Sequence, residues 1–124
     1  MANGTRILVC RTCPRFVPNP RHDRTDGAAL GAEIAALAVA NGWNPGDVRM
    51  VNCLAGCKNP CNIALDGDSK YRLRFSLLGP GVGRDVIKAA QQHGKSTNGD
   101  IPKAELPEKL RCRLSAKSPP RIGD

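Results

Sequence analysis

The apolar positions of the chain fall into short groups that predict alternating strands and helices. Residues 6–9 form an apolar run that is typical of a buried strand. Residues 27–40 repeat apolar side chains at helical spacing, and the Asn41-Gly42 pair that follows them is a common helix end. Residues 48–52 predict a second strand. Each of the two predicted strands leads directly into a cysteine.

The second half of the chain predicts a hairpin and a closing helix. Residues 62–65 and 71–77 are strand-like segments on either side of an Asp-Gly turn, and the second alternates apolar side chains with Arg and Ser. Residues 84–93 have the pattern of an amphipathic helix. Pro, Lys and Ser are frequent beyond that helix and periodicity is weak, so we expect an extended basic arm over residues 95–124.

This order of elements, β-α-β-β-β-α, predicts an α/β domain of the thioredoxin-like type over residues 1–94. We expect a four-stranded mixed sheet with two main helices, because a right-handed crossover makes the first two strands parallel and a hairpin is antiparallel. Parallel neighbours end at the same edge of a sheet. The order therefore predicts that Cys10 and Cys53, which follow the first two strands, lie close together.

Five of the six cysteines form two tight groups. Cys10 and Cys13 follow the first strand, whereas Cys53, Cys57 and Cys61 follow the second. Four thiolates bind either zinc or an iron–sulfur cluster. A Cys-x-x-Cys group followed by Cys-x-x-x-Cys differs from the paired Cys-x-x-Cys groups of most structural zinc sites and suits a two-iron cluster. We therefore predict a [2Fe–2S] site, with zinc as the alternative cofactor.

A dithiol oxidoreductase is the third interpretation, because Cys10 and Cys13 form a Cys-x-x-Cys group after a strand. An active dithiol usually opens a helix whose N-terminus lowers the thiol pKa. Pro14 and the Arg- and Pro-rich residues after it disfavour a helix at that point. Dithiol chemistry would also leave Cys53 and Cys57 without a role. An electron carrier, and not an enzyme, is therefore predicted.

Three other side chains with metal-binding chemistry are expected to lie outside the site. Cys112 occurs in the basic C-terminal arm and is predicted to be a free thiol. His22 and His93 are predicted to be surface residues and not ligands. The candidate ligands are therefore the clustered cysteines, and His22, which occurs in the loop after the first strand, stays open as an alternative.

The formal net charge of the 124-residue chain is +8, which favours anionic partners. The sequence lacks a helix-turn-helix pattern, a basic helix and an aromatic stacking platform, so nucleic acid is disfavoured. We expect instead an acidic redox protein, steered by Arg11, Arg15 and Lys58 beside the cysteines. The sequence has no apolar run of transmembrane length and no signal-peptide core, which predicts a cytoplasmic protein that does not bind membranes. Clustered cysteines in that compartment more often bind metal than form disulfides.

Two cysteine segments also resemble a known family. CRTC at residues 10–13 and CLAGCKNPC at residues 53–61 resemble the motifs of a bacterial family of uncharacterised, predicted metal-binding proteins. That family is related to the thioredoxin-like two-iron ferredoxins, and further similarity at 71–78 and 101–120 extends the resemblance over nearly the whole chain. The resemblance implies a [2Fe–2S] cluster, electron transfer, service to cobalamin or metal-cofactor metabolism, and a homodimer.

The resemblance also implies a ligand set. The C-terminal ligand pair of those ferredoxins corresponds to Cys53 and Cys57. Their N-terminal pair is spaced more widely than Cys10 and Cys13, so Cys61 is the alternative fourth ligand. We expect Cys10 and Cys13 to hold one iron, and Cys53 and Cys57 to hold the other.

Overall fold

The computed structural model describes residues 5–10, 26–51, 61–78 and 81–119. These ranges contain five strands and three α-helices. In chain order they are β1 (Thr5–Cys10), α1 (Asp26–Ala40), β2 (Val48–Val51), β3 (Ile63–Gly67), β4 (Arg72–Phe75), α2 (Gly83–Lys95), α3 (Glu108–Arg111) and β5 (Leu114–Ser118). Single turns of 3₁₀ helix at Pro45–Asp47 and Lys103–Glu105 complete the regular structure of these ranges.

The strands form one mixed sheet in the order β2-β1-β3-β4-β5. β1 and β2 are parallel, whereas β3 is antiparallel to both β1 and β4, and β5 is antiparallel to β4. The predicted α/β class, the parallel first pair and the antiparallel hairpin are therefore confirmed. The predicted count of four strands is wrong, because a fifth strand extends the sheet.

The fifth strand and the short helix before it come from the residues predicted to form an extended arm. β5 pairs along β4 from Leu114, opposite Phe75, to Ser118, opposite Arg72. Leu106 and Leu110 are almost fully buried in the core. The sequence of β5, Leu-Ser-Ala-Lys-Ser, lacks strong apolar alternation, and hydrogen bonding to the edge of β4 determines its conformation. The division of the chain after residue 94 stays a prediction.

The helices pack on one face of the sheet. α1 and α2 contact each other and both contact β1, while α3 contacts α2. Alternate strand residues point into this layer and are fully buried: Ile7, Val9, Ile63, Leu65, Leu73 and Phe75. No helix in the described ranges packs on the opposite face. We call that surface the arginine face, and its residues are Arg6, Leu8, Cys10, Arg49, Val51, Asn62, Ala64, Asp66, Arg72, Arg74 and Ser76.

The end of α1 has the geometry that its sequence predicts. Gly42 has a φ of 81°, its N–H donates to Val39 O at 3.1 Å, and the N–H of Trp43 donates to Ala38 O at 2.9 Å. These two bonds and the left-handed glycine form a Schellman motif, which satisfies the last carbonyls of the helix. Trp43 is then buried in the core.

α2 continues two residues beyond its predicted end at His93, passing through Gly94 to Lys95. The Lys70 ammonium donates to His93 O at 2.9 Å and to Gly94 O at 2.7 Å. This cation satisfies carbonyls in the last turn and favours continuation of the helix there.

None of the described helices has the length and the apolar character that a membrane-spanning helix needs.

Candidate functional site

Cys10 lies at one end of the sheet, between two neighbouring strands. It is the last residue of β1, and its partner on the parallel strand β2 is Val51, the last residue of that strand. On the other side, its N–H donates to Asn62 O at 3.1 Å. Cys10 as a whole is 2% exposed. Backbone pairing on both sides therefore holds Cys10 at the end of the sheet where β1 and β2 stop together.

Cys61 lies at the same end of the sheet but on the other face. Its N–H donates to Leu78 O at 3.2 Å, and its carbonyl accepts from the Leu78 N–H at 3.1 Å. Cys61 is two residues before Ile63, so strand alternation places both side chains in the helix-packed core. Cys10 is beside Asn62, on the arginine face. The two described cysteines of the predicted groups are thus buried on opposite faces.

The other predicted ligands, Cys13, Cys53 and Cys57, lie outside the described residues. The basic side chains of Arg11, Arg15 and Lys58, and that of His22, lie outside them too. Among the residues that the structure describes, no three His, Cys, Asp or Glu side chains are grouped as a metal site would need. The predicted ligand set therefore stays a prediction.

Cys112 lies at the cysteine end of the sheet, in the turn between α3 and β5. The neighbouring carbonyl of Arg113 accepts from the Ser76 N–H at 2.8 Å, which continues the pairing of β4 with β5. Cys112 is an exposed thiol without a disulfide, as predicted.

A chain of hydrogen bonds runs across the sheet from the strand beside Cys10. The Ser76 hydroxyl donates to Asn62 Oδ1 at 2.6 Å and lies 2.7 Å from Ser115 Oγ. Ser115 Oγ accepts from Arg74 Nε at 3.1 Å. Asn62 and Ser76 are almost fully buried, so these bonds offset the cost of removing polar groups from water. The chain positions Asn62, whose carbonyl binds the Cys10 backbone.

A comparison with protein families covers most of the chain, including all six cysteines. The model of the family described as "Protein of unknown function (DUF1636)" matches residues 7–120. The chain belongs to the DUF1636 family. The predicted membership of an uncharacterised family is therefore confirmed. No curated protein matches the sequence.

His93 of this DUF1636 protein is buried, and the prediction of a surface histidine is wrong. Its Nε2 lies 2.7 Å from Tyr71 O, and its Nδ1 lies 2.7 Å from the Thr5 hydroxyl. A carbonyl only accepts, so Nε2 carries the proton and Thr5 donates to Nδ1 of the neutral ring. Burial lowers the pKa of His93, and the nearby Lys70 charge lowers it further, whereas the bond to Tyr71 and Asp66 raise it.

These contacts give His93 a structural role at the far end of the sheet from Cys10. Both ring nitrogens are engaged, and Thr5 begins the strand that Cys10 ends. Lys70 next to it has a pKa lowered by burial. The helical spacing of the sequence indicates this burial, because His93 occurs four residues after the buried Ala89 on the apolar side of α2.

Glu33 is a second polar residue with a structural role that no pattern in the DUF1636 sequence indicates. Its carboxylate accepts from the Gly81 N–H at 2.9 Å and from the Gly83 N–H at 2.6 Å, at the first residue of α2. A negative charge there is stabilised by the unpaired N–H groups of the helix start. A Cβ on Gly83 would lie 2.5 Å from Glu33 Oε2 and 2.8 Å from Leu37 Cδ1, so this contact needs glycine.

Proposed function

We propose that this DUF1636 protein is a cytoplasmic, thioredoxin-like electron carrier with a [2Fe–2S] cluster. Cys10, Cys13, Cys53 and Cys57 would be its ligands. Bound to these thiolates, the cluster would supply reversible one-electron transfer. The protein would need no substrate pocket, because the reaction is the exchange of an electron with another protein.

The observation that carries the proposal is the common end of β1 and β2. Cys10 and Val51 are paired last residues of parallel strands, and Cys53 follows Val51 by two residues. Two residues span at most about 7 Å of extended chain. Chain connectivity therefore keeps the start of the second cysteine group within reach of Cys10. This supports a site that is shared between the two groups.

The position of Cys61 supports Cys13 as the fourth ligand. Cys61 is fully buried in the helix-packed core, whereas Cys10 lies on the arginine face. A ligand set with both residues would need thiolates from opposite sides of the sheet. Cys13 follows Cys10 by three residues and has no such constraint.

The surroundings of Cys10 fit a buried thiolate ligand of a cluster. Cys10 is 2% exposed, and exclusion of water is one of the factors that set a cluster potential. The Cys10 N–H already donates to Asn62 O. Hydrogen bonds to cluster sulfurs would therefore come from other N–H groups, and we assign them to residues 54–59.

The sheet supports the thioredoxin-like part of the proposal. The order β2-β1-β3-β4, with one parallel pair followed by an antiparallel hairpin, is the order expected for that fold. Both main helices pack on one face and contact each other. β5 is an addition at the edge of β4.

Burial of Cys10 favours the carrier over a dithiol oxidoreductase. Reactive cysteines of such enzymes are partly exposed, because the thiolate must reach a disulfide in another molecule. Cys10 is almost fully buried instead. An acidic redox protein as partner, a homodimer and service to cobalamin or metal-cofactor metabolism complete the proposal.

Metal and sulfide analysis of the protein after anaerobic purification separates the three readings. The carrier contains iron and acid-labile sulfide in equal amounts and absorbs visible light. Zinc without sulfide would replace the carrier by a zinc protein. A colourless protein without metal, whose Cys10 and Cys13 cycle between dithiol and disulfide, would be an oxidoreductase instead.

A further inference from the structure

The arginine face combines positive charge with an apolar centre beside Cys10. One row across the sheet reads Arg49, Leu8, Ala64 and Arg74, because Leu8 pairs with Arg49 on β2 and with Ala64 on β3, which pairs with Arg74. Strands are about 4.8 Å apart, so the two outer arginines of the row lie about 14 Å from each other. Ala64 is fully buried and Leu8 is half-buried, so Leu8 supplies the accessible apolar surface between the two arginines.

A second row of charges adjoins the first. Arg6 precedes Leu8 by two residues on β1, and Arg72 precedes Arg74 by two residues on β4. Arg6 lies 3.8 Å from Asp66 Oδ2 and 3.4 Å from Asp68 Oδ1, so its charge is partly balanced. Within the described ranges, Arg49 and Arg72 have no carboxylate at ion-pair distance. The face therefore carries an excess of positive charge.

We infer that the arginine face is the docking surface for an acidic protein partner. This inference rests on the proposed electron carrier and identifies where its partner binds. Guanidinium groups bind carboxylates through paired hydrogen bonds, and protein interfaces usually have a polar rim around an apolar centre, with arginine enriched. Cys10 follows Leu8 by two residues on the same face, about 7 Å along the strand. A partner on this face would therefore lie next to the proposed site.

The chemistry of the face favours protein over nucleic acid. In the described part of the chain, no aromatic side chain lies on this face, so it offers bases no stacking platform. A nucleic-acid backbone carries a phosphate at every nucleotide and would meet the Asp66 carboxylate, whereas a protein can leave the position opposite Asp66 uncharged. An acidic protein can place carboxylates beside the arginines and apolar side chains against Leu8.

The test compares two double variants with the same change in net charge. Arg49→Glu/Arg72→Glu reverses charge on the arginine face, and Lys88→Glu/Lys95→Glu reverses exposed charges on α2, on the helix side. Arg49→Gln/Arg72→Gln, which only neutralises, is measured alongside. Circular dichroism and urea unfolding establish that each variant is folded.

Labelled poly-L-glutamate is the first probe, with binding measured by fluorescence anisotropy at several salt concentrations. We expect its Kd to rise at least about tenfold for Arg49→Glu/Arg72→Glu and much less for the α2 variant. Equal losses in both variants would reject a specific face. Tighter binding of a single-stranded oligonucleotide than of polyglutamate, lost in the same variant, would show a nucleic-acid surface instead.

Reduced flavodoxin, an acidic flavoprotein, is the second probe. Stopped-flow absorbance follows its reduction of the protein that carries the [2Fe–2S] cluster, which we call the loaded protein. We expect the second-order rate constant to fall at least about tenfold in the arginine variants, and the difference to disappear at high salt. If the loaded arginine variants are reduced at the wild-type rate, the arginine face is not the docking surface, although the protein is still an electron carrier. A protein without a cluster would remove the carrier, and the polyglutamate comparison would still decide the face.

Discussion

Cys61 separates the two ligand sets that the sequence leaves open. Its backbone pairs with Leu78, and strand alternation places its fully buried side chain on the helix side of the sheet, the face opposite to that of Cys10. The sequence shows only that Cys61 is the third thiol of a tight group. Its face depends on the register between neighbouring strands, because a shift of one residue moves a side chain to the other side.

Substitution of single cysteines tests this distinction. We expect Cys61→Ala to retain the iron content of the wild type, with a loss of about 1 kcal/mol in unfolding free energy from the small cavity. We expect Cys13→Ser to lose the cluster, because one of four ligands is removed. Iron and sulfide per chain after anaerobic purification are the measurement. Retention of iron in Cys13→Ser together with its loss in Cys61→Ala would assign the fourth ligand to Cys61.

His93 is the second residue whose role depends on the fold. Its pKa is lowered in the folded protein, so an unfolded chain binds a proton below about pH 6.5 that the native ring resists. Stability is therefore complete above that pH and falls as the pH decreases toward 5. The slope from one such group is at most about 1.4 kcal/mol per pH unit.

Urea unfolding of the wild type and of His93→Gln between pH 5 and 8 measures this contribution. We expect the variant to lose the part of the slope that begins near pH 6.5. The same slope in wild type and His93→Gln would show that His93 is not the group that resists protonation.

At the scale of elements, α1 and the start of α2 approach each other so closely that a glycine is needed between them. Glu33 accepts from N–H groups at the helix start, and Gly83 leaves room for that carboxylate and for Leu37. We expect Gly83→Ala to lower the free energy of unfolding by about 1–3 kcal/mol, because the added methyl forces packed atoms apart.

Gly46→Ala is the matched control, because a Cβ at Gly46 would have no atom within 4 Å. We expect this change to alter stability by no more than about 0.5 kcal/mol. Urea denaturation of both variants is the measurement. Equal stability of Gly83→Ala and wild type would contradict the close approach of Glu33 and Leu37.

The elements with strong local patterns could be predicted from the sequence, and the others could not. Alternation in the segment at 71–77 identified β4, and Asn41-Gly42 identified the end of α1. β5 has few apolar positions and forms through pairing with β4, some forty residues earlier in the chain. Such a strand depends on a distant partner, so the four-strand prediction missed it.

At the scale of the whole molecule, the sequence predicts which strands are neighbours, but it does not predict which side chains meet across the sheet, because those contacts depend on strand register. The β-α-β order was sufficient to place the ends of β1 and β2 together. The hydrogen bonds from Ser76 to Asn62 and from Arg74 to Ser115 connect residues far apart in sequence, and no local pattern indicated them. The net charge of +8 follows from the composition alone, but the position of the arginines on one face of the sheet follows only from the strand register.

The electron paramagnetic resonance spectrum of the anaerobically purified protein is the decisive measurement for the proposed [2Fe–2S] cluster. We expect no signal from the oxidised protein and, after reduction with dithionite, the signal of a mixed-valence two-iron cluster held by cysteine thiolates. That signal must account for the iron and sulfide found by analysis. A protein that contains zinc and no sulfide, and gives no signal after reduction, would contradict the proposed two-iron cluster.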